Sequence, residues 1–319
     1  MTTNESMLEV INRMKGCFYG CAVGDALGCP LEFKPRDVHP VVTEMIPSMN
    51  HGGLLAGSWT DDTSMMLCLS ASMVARDGLI DAVSELTHYV HWYKKGYLGV
   101  NGKCVDIGMT TKRSLLKFIH TGTPIDEPAD ELDQGNGSLM RIAPVPIIHW
   151  RDPDKAFHFG CCSSSSTHNH SNCRTVCGVV SYVLASVIKG DATTKPQILE
   201  LLKRWMYYGG DETLQRILGG EFLKKSRDQI RSSGYIMHTL EAALWSFFQT
   251  SDFESGAVLA VNLGGDADTV GAVYGTMAGA FYGFDAIPTQ WVEALQGRRY
   301  LDGVYNDVLE VVTRQSIHE

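Results

Sequence analysis

The sequence predicts an all-α fold, a compact single domain built around a central helix rich in small residues. Three observations carry this. Apolar residues recur at three- and four-residue spacing along most of the chain, no segment alternates apolar and polar residues as a strand would, and the breaks between periodic segments are short.

Taken in order, the first helix runs through Leu8, Ile11, Met14, Phe18 and Cys21, and the glycines after it mark an end that leaves Asp25 beyond the helix. The second carries Met65, Met66, Leu69 and Met73 up to a stop at Gly78. The same period continues through Leu79 to Tyr93, Thr111 to Ile119, Val176 to Ile188, Leu199 to Tyr207, His238 to Phe248, Ala257 to Val261 and Val270 to Phe281. Linkers fall at Pro35 to Pro47, Thr121 to Gly135, Arg151 to Asp154 and Gly190 to Pro196. In the last helix Gly271, Gly275 and Gly279 stand four apart, which costs helix propensity and lets another helix approach closely. With no internal repeat and no long spacer, residues 1–319 are expected to form one domain.

The composition, 44% hydrophobic and 20% charged, is that of a globular chain. A net charge of -9 without any basic run argues against binding to nucleic acid, because that affinity comes from clustered Lys and Arg. Met1 to Glu5 lack the basic start of a signal peptide, and no uninterrupted apolar stretch reaches membrane-spanning length. Nine cysteines at irregular spacing suit a reducing compartment. A cytoplasmic, monomeric protein without membrane contact is therefore expected.

Acidic residues matter here by position. Trp59-Thr60-Asp61-Asp62-Thr63 and Gly264-Gly265-Asp266-Ala267-Asp268-Thr269 each set carboxylates beside a hydroxyl at the start of a helix. Capping explains one such residue per helix. Four aspartates brought together would repel one another unless cations lay between them. Oxygen ligands without His or Cys select hard cations, so two divalent ions, Mg²⁺ or Mn²⁺, are expected. Bridged in this way they would lie about 3.5 to 4 Å apart, able to orient a substrate and activate water.

Seven segments in order, GDALGCPLE (24–32), WTDDTSM (59–65), DIGMTT (106–111), GNGSLMR (135–141), STHNH (166–170), GYIMHTLEAALW (234–245) and NLGGDADTVGA (262–272), resemble the ADP-ribosylglycohydrolase family. That family includes the bacterial dinitrogenase reductase-activating glycohydrolases and the ADP-ribosylarginine hydrolases. The resemblance covers nearly the whole chain. It implies an all-α fold in which Thr60, Asp61, Asp62, Asp266, Asp268 and Thr269 hold the two metals, with Glu32 at the edge positioning or deprotonating the attacking water.

The same resemblance implies that Asn136, Gly137, Ser138 and His168 shape a cleft for ADP-ribose. Asp106 and Tyr235 would lie near a modified arginine, Asp106 pairing with the guanidinium and Tyr235 packing on its plane. The bland alternatives are an Asp106 that caps the following helix and a Tyr235 that fills the core. Cys161, Cys162, Cys173 and Cys177 surround His168 and His170, but their spacing matches no zinc ribbon or finger, and buried free thiols explain them better.

The expected activity is hydrolysis of the N-glycosidic bond between ADP-ribose and arginine on a modified protein, with ADP-ribose as product. Two alternatives stand beside it: hydrolysis of O-linked, polymeric or metabolite ADP-ribose, and a non-catalytic ADP-ribose-binding or lens-type structural relative.

Overall fold

The computed structural model describes residues 3–124, 130 and 133–317. Among them every regular element is a helix, and two isolated backbone bridges, Ser48 with Leu54 and Gly135 with Tyr235, are the only pairings of β type. The helices are α1 (Thr3–Gly28), α2 (Asp61–Ala75), α3 (Ala82–Lys95), α4 (Met109–Thr121), α5 (Pro144–Ile148), α6 (Pro153–Ser165) and α7 (Ser171–Lys189). They continue with α8 (Lys195–Arg204), α9 (Glu212–Leu218), α10 (Ile236–Gln249), α11 (Phe253–Val261), α12 (Ala267–Tyr282), α13 (Thr289–Ala294) and α14 (Arg298–Ile317).

Each segment expected from periodicity lies on a helix, although α3 starts only at Ala82, capped by Asp81, and α8 ends at Arg204. Helices α5, α6, α9, α13 and α14 come in addition. The break expected at Arg151 to Asp154 is shorter than that, because Asp152 caps a helix beginning at Pro153. The break from Thr121 to Gly135 lies partly outside the described residues. At the start of α1, Leu8 is 68% exposed while Met14, Phe18 and Cys21 are buried, so the apolar stripe enters the core only from Val10 onward.

Two helices, α1 and α12, form the centre. They run antiparallel, with Gly16, Gly20, Gly24 and Gly28 facing Gly279, Gly275, Gly271 and Ala267. A β-carbon on Gly20 would stand 2.1 Å from the Gly275 carbonyl oxygen, and one on Gly24 would stand 1.9 Å from that of Gly271. The backbones therefore touch, which only residues without side chains permit. Asp25 lies inside α1, three residues before its end, rather than beyond a glycine stop. Those glycines mark a packing surface.

Around this pair, α10 and α11 pack on α12, α2 packs on α3 and α14, and α6 packs on α7. One apolar cluster runs from Val10 to Val312 through nearly all of these helices. By length and apolar composition α7 is the only described helix that passes as a membrane span, and 83% of that window is buried inside the fold.

Candidate active site

Asp61 and Asp62 open α2, while Asp266 stands just before α12 and Asp268 lies in its first turn. Neither helix start is capped by the side chain at its N-cap position, Thr60 or Asp266. Asp25 does that work for α2 from a different helix. It accepts from the backbone N–H of Thr60 at 2.9 Å and of Thr63 at 3.0 Å, and from the Thr63 hydroxyl at 2.6 Å. Asp61 and Asp62 are thereby left free of capping duty.

Before α12 the chain turns through Gly264 and Gly265, both with left-handed φ, 67° and 66°. Phe33 N–H donates to the Gly265 carbonyl at 2.7 Å, Gly265 N–H to that of Lys34 at 2.9 Å, and Asp266 N–H to that of Ser232 at 2.7 Å. These bonds tie the segment after Glu32 to the start of α12 and bring three distant parts of the sequence together.

Two groups of carboxylates result, each with ligand atoms within 4.8 Å of one another: Asp25, Asp62 and Asp268, and Glu32, Asp266 and Asp268. They share Asp268. The Thr60 hydroxyl lies 3.1 Å from Asp25, 3.2 Å from Asp62 and 3.2 Å from Asp268, yet its one proton can serve only one of them. The Thr269 hydroxyl reaches Asp62 at 3.4 Å. Asp62 Oδ1 is buried with no hydrogen-bond partner. Asp61 is buried and faces the cleft, but lies outside both groups.

Burial, then the charges of neighbouring carboxylates, pushes Asp61, Asp62 and Asp268 well above the usual carboxylate range. Burial also raises Glu32 and Asp266. Asp25 is pushed up to about 7 by burial, although its bonds from Thr63 and Thr60 pull the other way. A set of oxygen donors that is this buried and mutually repelling, with one oxygen orphaned, fits hard divalent cations. No group of this kind among the described residues contains a cysteine, and all nine cysteines are free thiols.

Glu32, Asp61, Asp266 and Asp268 line a cleft of about 660 Å³, of which Asp25 and Asp62 are not lining residues. One wall is the stretch from Asp106 to Thr111, where Asp106 has φ +55°. Gly108, not Asp106, occupies the N-cap position of α4. Asp106 lies near Glu32 and His51, with ligand atoms of the three within 4.8 Å, and His51 Nε2 is 2.6 Å from Glu32 Oε2. His51 belongs to the site without any local sequence pattern to announce it; a left-handed residue in the turn after Met49 carries it there.

Asn136 lines the cleft and donates to Asp266 at 2.6 Å and to the Thr239 hydroxyl at 2.8 Å. Gly137 sits against His168, and a β-carbon there would fall 2.9 Å from the ring. His168 lines the cleft, and burial holds its pKa down at about 3. Ser138 departs from expectation: its side chain is fully buried and receives hydrogen bonds from Ser164 at 2.8 Å and Cys177 at 3.4 Å, so its hydroxyl does not line the cleft. Tyr235 departs too. Its neighbours Ser233 and Gly234 line the cleft, whereas its own ring packs edge-on against His238 at 5.0 Å and its hydroxyl lies 3.4 Å from Gln134.

Comparison with known proteins agrees with this architecture. The family model described as ADP-ribosylglycohydrolase matches residues 6–317. ADP-ribosylarginine hydrolase Tri1 of Pseudomonas putida is 36% identical, over 95% of this chain and 79% of that protein. The ADP-ribosyl-[dinitrogen reductase] glycohydrolase of Rhodospirillum rubrum is 32% identical, over 90% of this chain and 91% of that protein. A solved structure of an ADP-ribosylglycohydrolase-related protein complex superposes with a TM-score of 0.82 at 36% identity, covering 95% of this chain and 99% of that one.

Proposed function

The chain belongs to the ADP-ribosylglycohydrolase family, and from that premise we propose that it hydrolyses the N-glycosidic bond joining ADP-ribose to an arginine side chain of a modified protein. The observation that carries the choice of linkage is Asp106. It is a carboxylate on the cleft wall, beside Glu32, that forms no ion pair with a lysine or arginine among the described residues. A guanidinium is the natural complement of such a group.

In this reading Thr60, Asp61, Asp62, Asp266, Asp268 and Thr269 would hold two divalent cations, Mg²⁺ or Mn²⁺, with Glu32 at the edge of their site. When bound, those ions supply Lewis acidity and a fixed anchor for vicinal ribose hydroxyls. The chain's own residues do the rest. Asn136 fixes the Asp266 carboxylate, and Gly137 leaves room for the sugar where a side chain would collide. Glu32, held on one oxygen by His51, receives the proton of the attacking water. As water adds at the anomeric carbon the bond to the guanidine nitrogen breaks, its electron pair stays on that nitrogen, and the proton taken up by Glu32 is passed to the leaving group. Asp106 holds the departing guanidinium. The product is free ADP-ribose.

The test is release of ADP-ribose from arginine-, serine- and glutamate-linked peptides at matched Mg²⁺ or Mn²⁺. Preference for the arginine linkage, lost with chelator, supports the reading. Faster release from serine or glutamate, or no release despite tight ADP-ribose binding, overturns it.

A further inference from the structure

Beneath the cleft wall lies a buried polar cluster that the proposed chemistry does not use. Arg141 is fully buried, with its guanidinium over the Tyr89 ring at 4.6 Å. Its Nη2 donates to Thr167 Oγ1 at 2.8 Å, to the Ser163 carbonyl at 3.2 Å and to Ser166 Oγ at 3.3 Å. Ser166 in turn donates to Glu85 at 2.8 Å, which sets a buried carboxylate near the buried cation. Burying an arginine this completely is expensive, the more so because its Nε and Nη1 have no hydrogen-bond partner among the described residues, and a cost of this kind calls for a task.

The task follows from counting protons. A guanidinium has donors only and keeps its charge, so Thr167 Oγ1 must accept from it. The Thr167 hydroxyl then has one proton to give, and the single acceptor within reach among the described residues is His168 Nδ1 at 2.8 Å. Nδ1 therefore carries no hydrogen. In a neutral imidazole the hydrogen is then on Nε2. That atom faces the two side-chain-free residues Gly135 and Gly137, where added β-carbons would fall 3.3 Å and 3.1 Å from it, and it has no hydrogen-bond partner among the described residues.

We propose that Arg141 and Thr167 are positioning residues that fix the His168 proton on Nε2, so that the cleft meets bound ADP-ribose with a neutral N–H donor aimed at one of its oxygens. The ligand's identity rests on the proposed function; the placement of the proton does not. The low pKa of His168, caused first by burial and then by Arg141, keeps the ring uncharged, so the donor persists unchanged across the neutral range.

The experiment is long-range proton–nitrogen NMR on the full chain labelled at histidine, first without metal or ligand near neutral pH, with the resonances assigned by His168→Gln. The expected result is an Nε2–H tautomer in the wild type. Thr167→Val removes the relaying hydroxyl at constant shape and should release the tautomer and weaken ADP-ribose binding by about tenfold in saturating Mn²⁺. Thr167→Ser should restore both. An Nδ1–H tautomer in the wild type, or a tautomer unchanged in Thr167→Val, overturns the positioning role. A released tautomer with unchanged ADP-ribose affinity overturns the donor role. An Nε2–H tautomer in a wild-type protein that binds no ADP-ribose upholds the positioning and overturns the proposed ligand.

Discussion

Asp25 on α1 receives the Thr63 hydroxyl of α2 at 2.6 Å and the Thr63 backbone N–H at 3.0 Å, so the helix that opens with Asp61 and Asp62 is capped by a side chain from its neighbour. Asp25 of α1 thus caps α2 while also belonging to one of the two carboxylate groups, and Asp61 and Asp62 of α2 carry no capping duty.

That difference predicts opposite outcomes for two neighbouring carboxylates. Asp25→Ala strands the buried N–H groups of Thr60 and Thr63 and should cost about 2 kcal/mol or more with or without metal. Asp62→Asn removes a crowded charge that carries an orphaned oxygen, and should leave the metal-free protein as stable or more so. It should also abolish cation binding. Urea unfolding in chelator, paired with Mn²⁺ calorimetry, reads both. A metal-free Asp62→Asn protein much weaker than wild type would count against the cation site.

Stability should depend on pH and metal together. Asp25, with a folded pKa of about 7, and Asp61, Asp62 and Asp268, raised well above the usual carboxylate range, bind more protons folded than unfolded. Their contribution is full below the unfolded carboxylate range, about 4, and is lost as pH rises through the folded values. His149 and His168, held down at about 4 and about 3, act in the opposite sense: the stability they contribute is lost as pH falls below about 6.5. The imidazoles are the same with and without metal. The rise in melting temperature on adding Mn²⁺ should therefore grow steadily from pH 5 to pH 8, and a rise independent of pH would contradict the carboxylate site.

Asp106→Asn should separate recognition from binding. Asn accepts a φ of +55° as readily as Asp, and Gly108 keeps the N-cap position of α4, so the fold should survive. Loss of the charge facing a guanidinium, typically ~1.5 to 3 kcal/mol, should lower kcat/KM on an arginine-linked peptide at least about tenfold. Free ADP-ribose affinity should stay unchanged. Equal losses in both would place Asp106 elsewhere than at the arginine.

Gly20→Ala tests the central pair, since its β-carbon would stand 2.1 Å from backbone that cannot swing aside. We expect a loss of about 3 kcal/mol or more, with weaker Mn²⁺ binding, because α1 carries Asp25 and α12 carries Asp268. Gly303→Ala, on α14 with nothing near its would-be β-carbon, is the control and should gain about 0.5 to 1 kcal/mol. Denaturation midpoints of the two variants decide it.

How legible this was depended on whether the determinant is local. The helices were readable because burial imposes its period on Met65 to Met73 or Val176 to Ile188. The face of α14, with Leu301, Val304, Tyr305, Val308 and Val312 all buried, carries the same period. Gly24 and Gly28 read as a stop in the sequence because a glycine stripe and a helix end share a composition; only the matching stripe on α12 tells them apart. Asp61, Asp62, Asp266 and Asp268 stood out as pairs at helix starts. His51 did not, since a left-handed turn delivers it to Glu32 and nothing adjacent in sequence encodes that meeting. Ser138 and Tyr235 lie in segments that do line the cleft, but which way a side chain turns is decided by the packing of Ser164 and His238 against them.

The glycine-lined contact between α1 and α12 also governs when the site can come into being. Asp25 and Asp62 leave the ribosome early, while Asp268 follows only after most of the chain has been made. Until then α1 shows a face too smooth for most side chains to fill, and the nascent protein has only part of either carboxylate group. Closing so long a loop is slow, so neither carboxylate group is complete until the polypeptide is nearly finished. Metal capture would then mark the last stage of biogenesis, and a ribosome-stalled fragment ending before α12 should hold no ion at all.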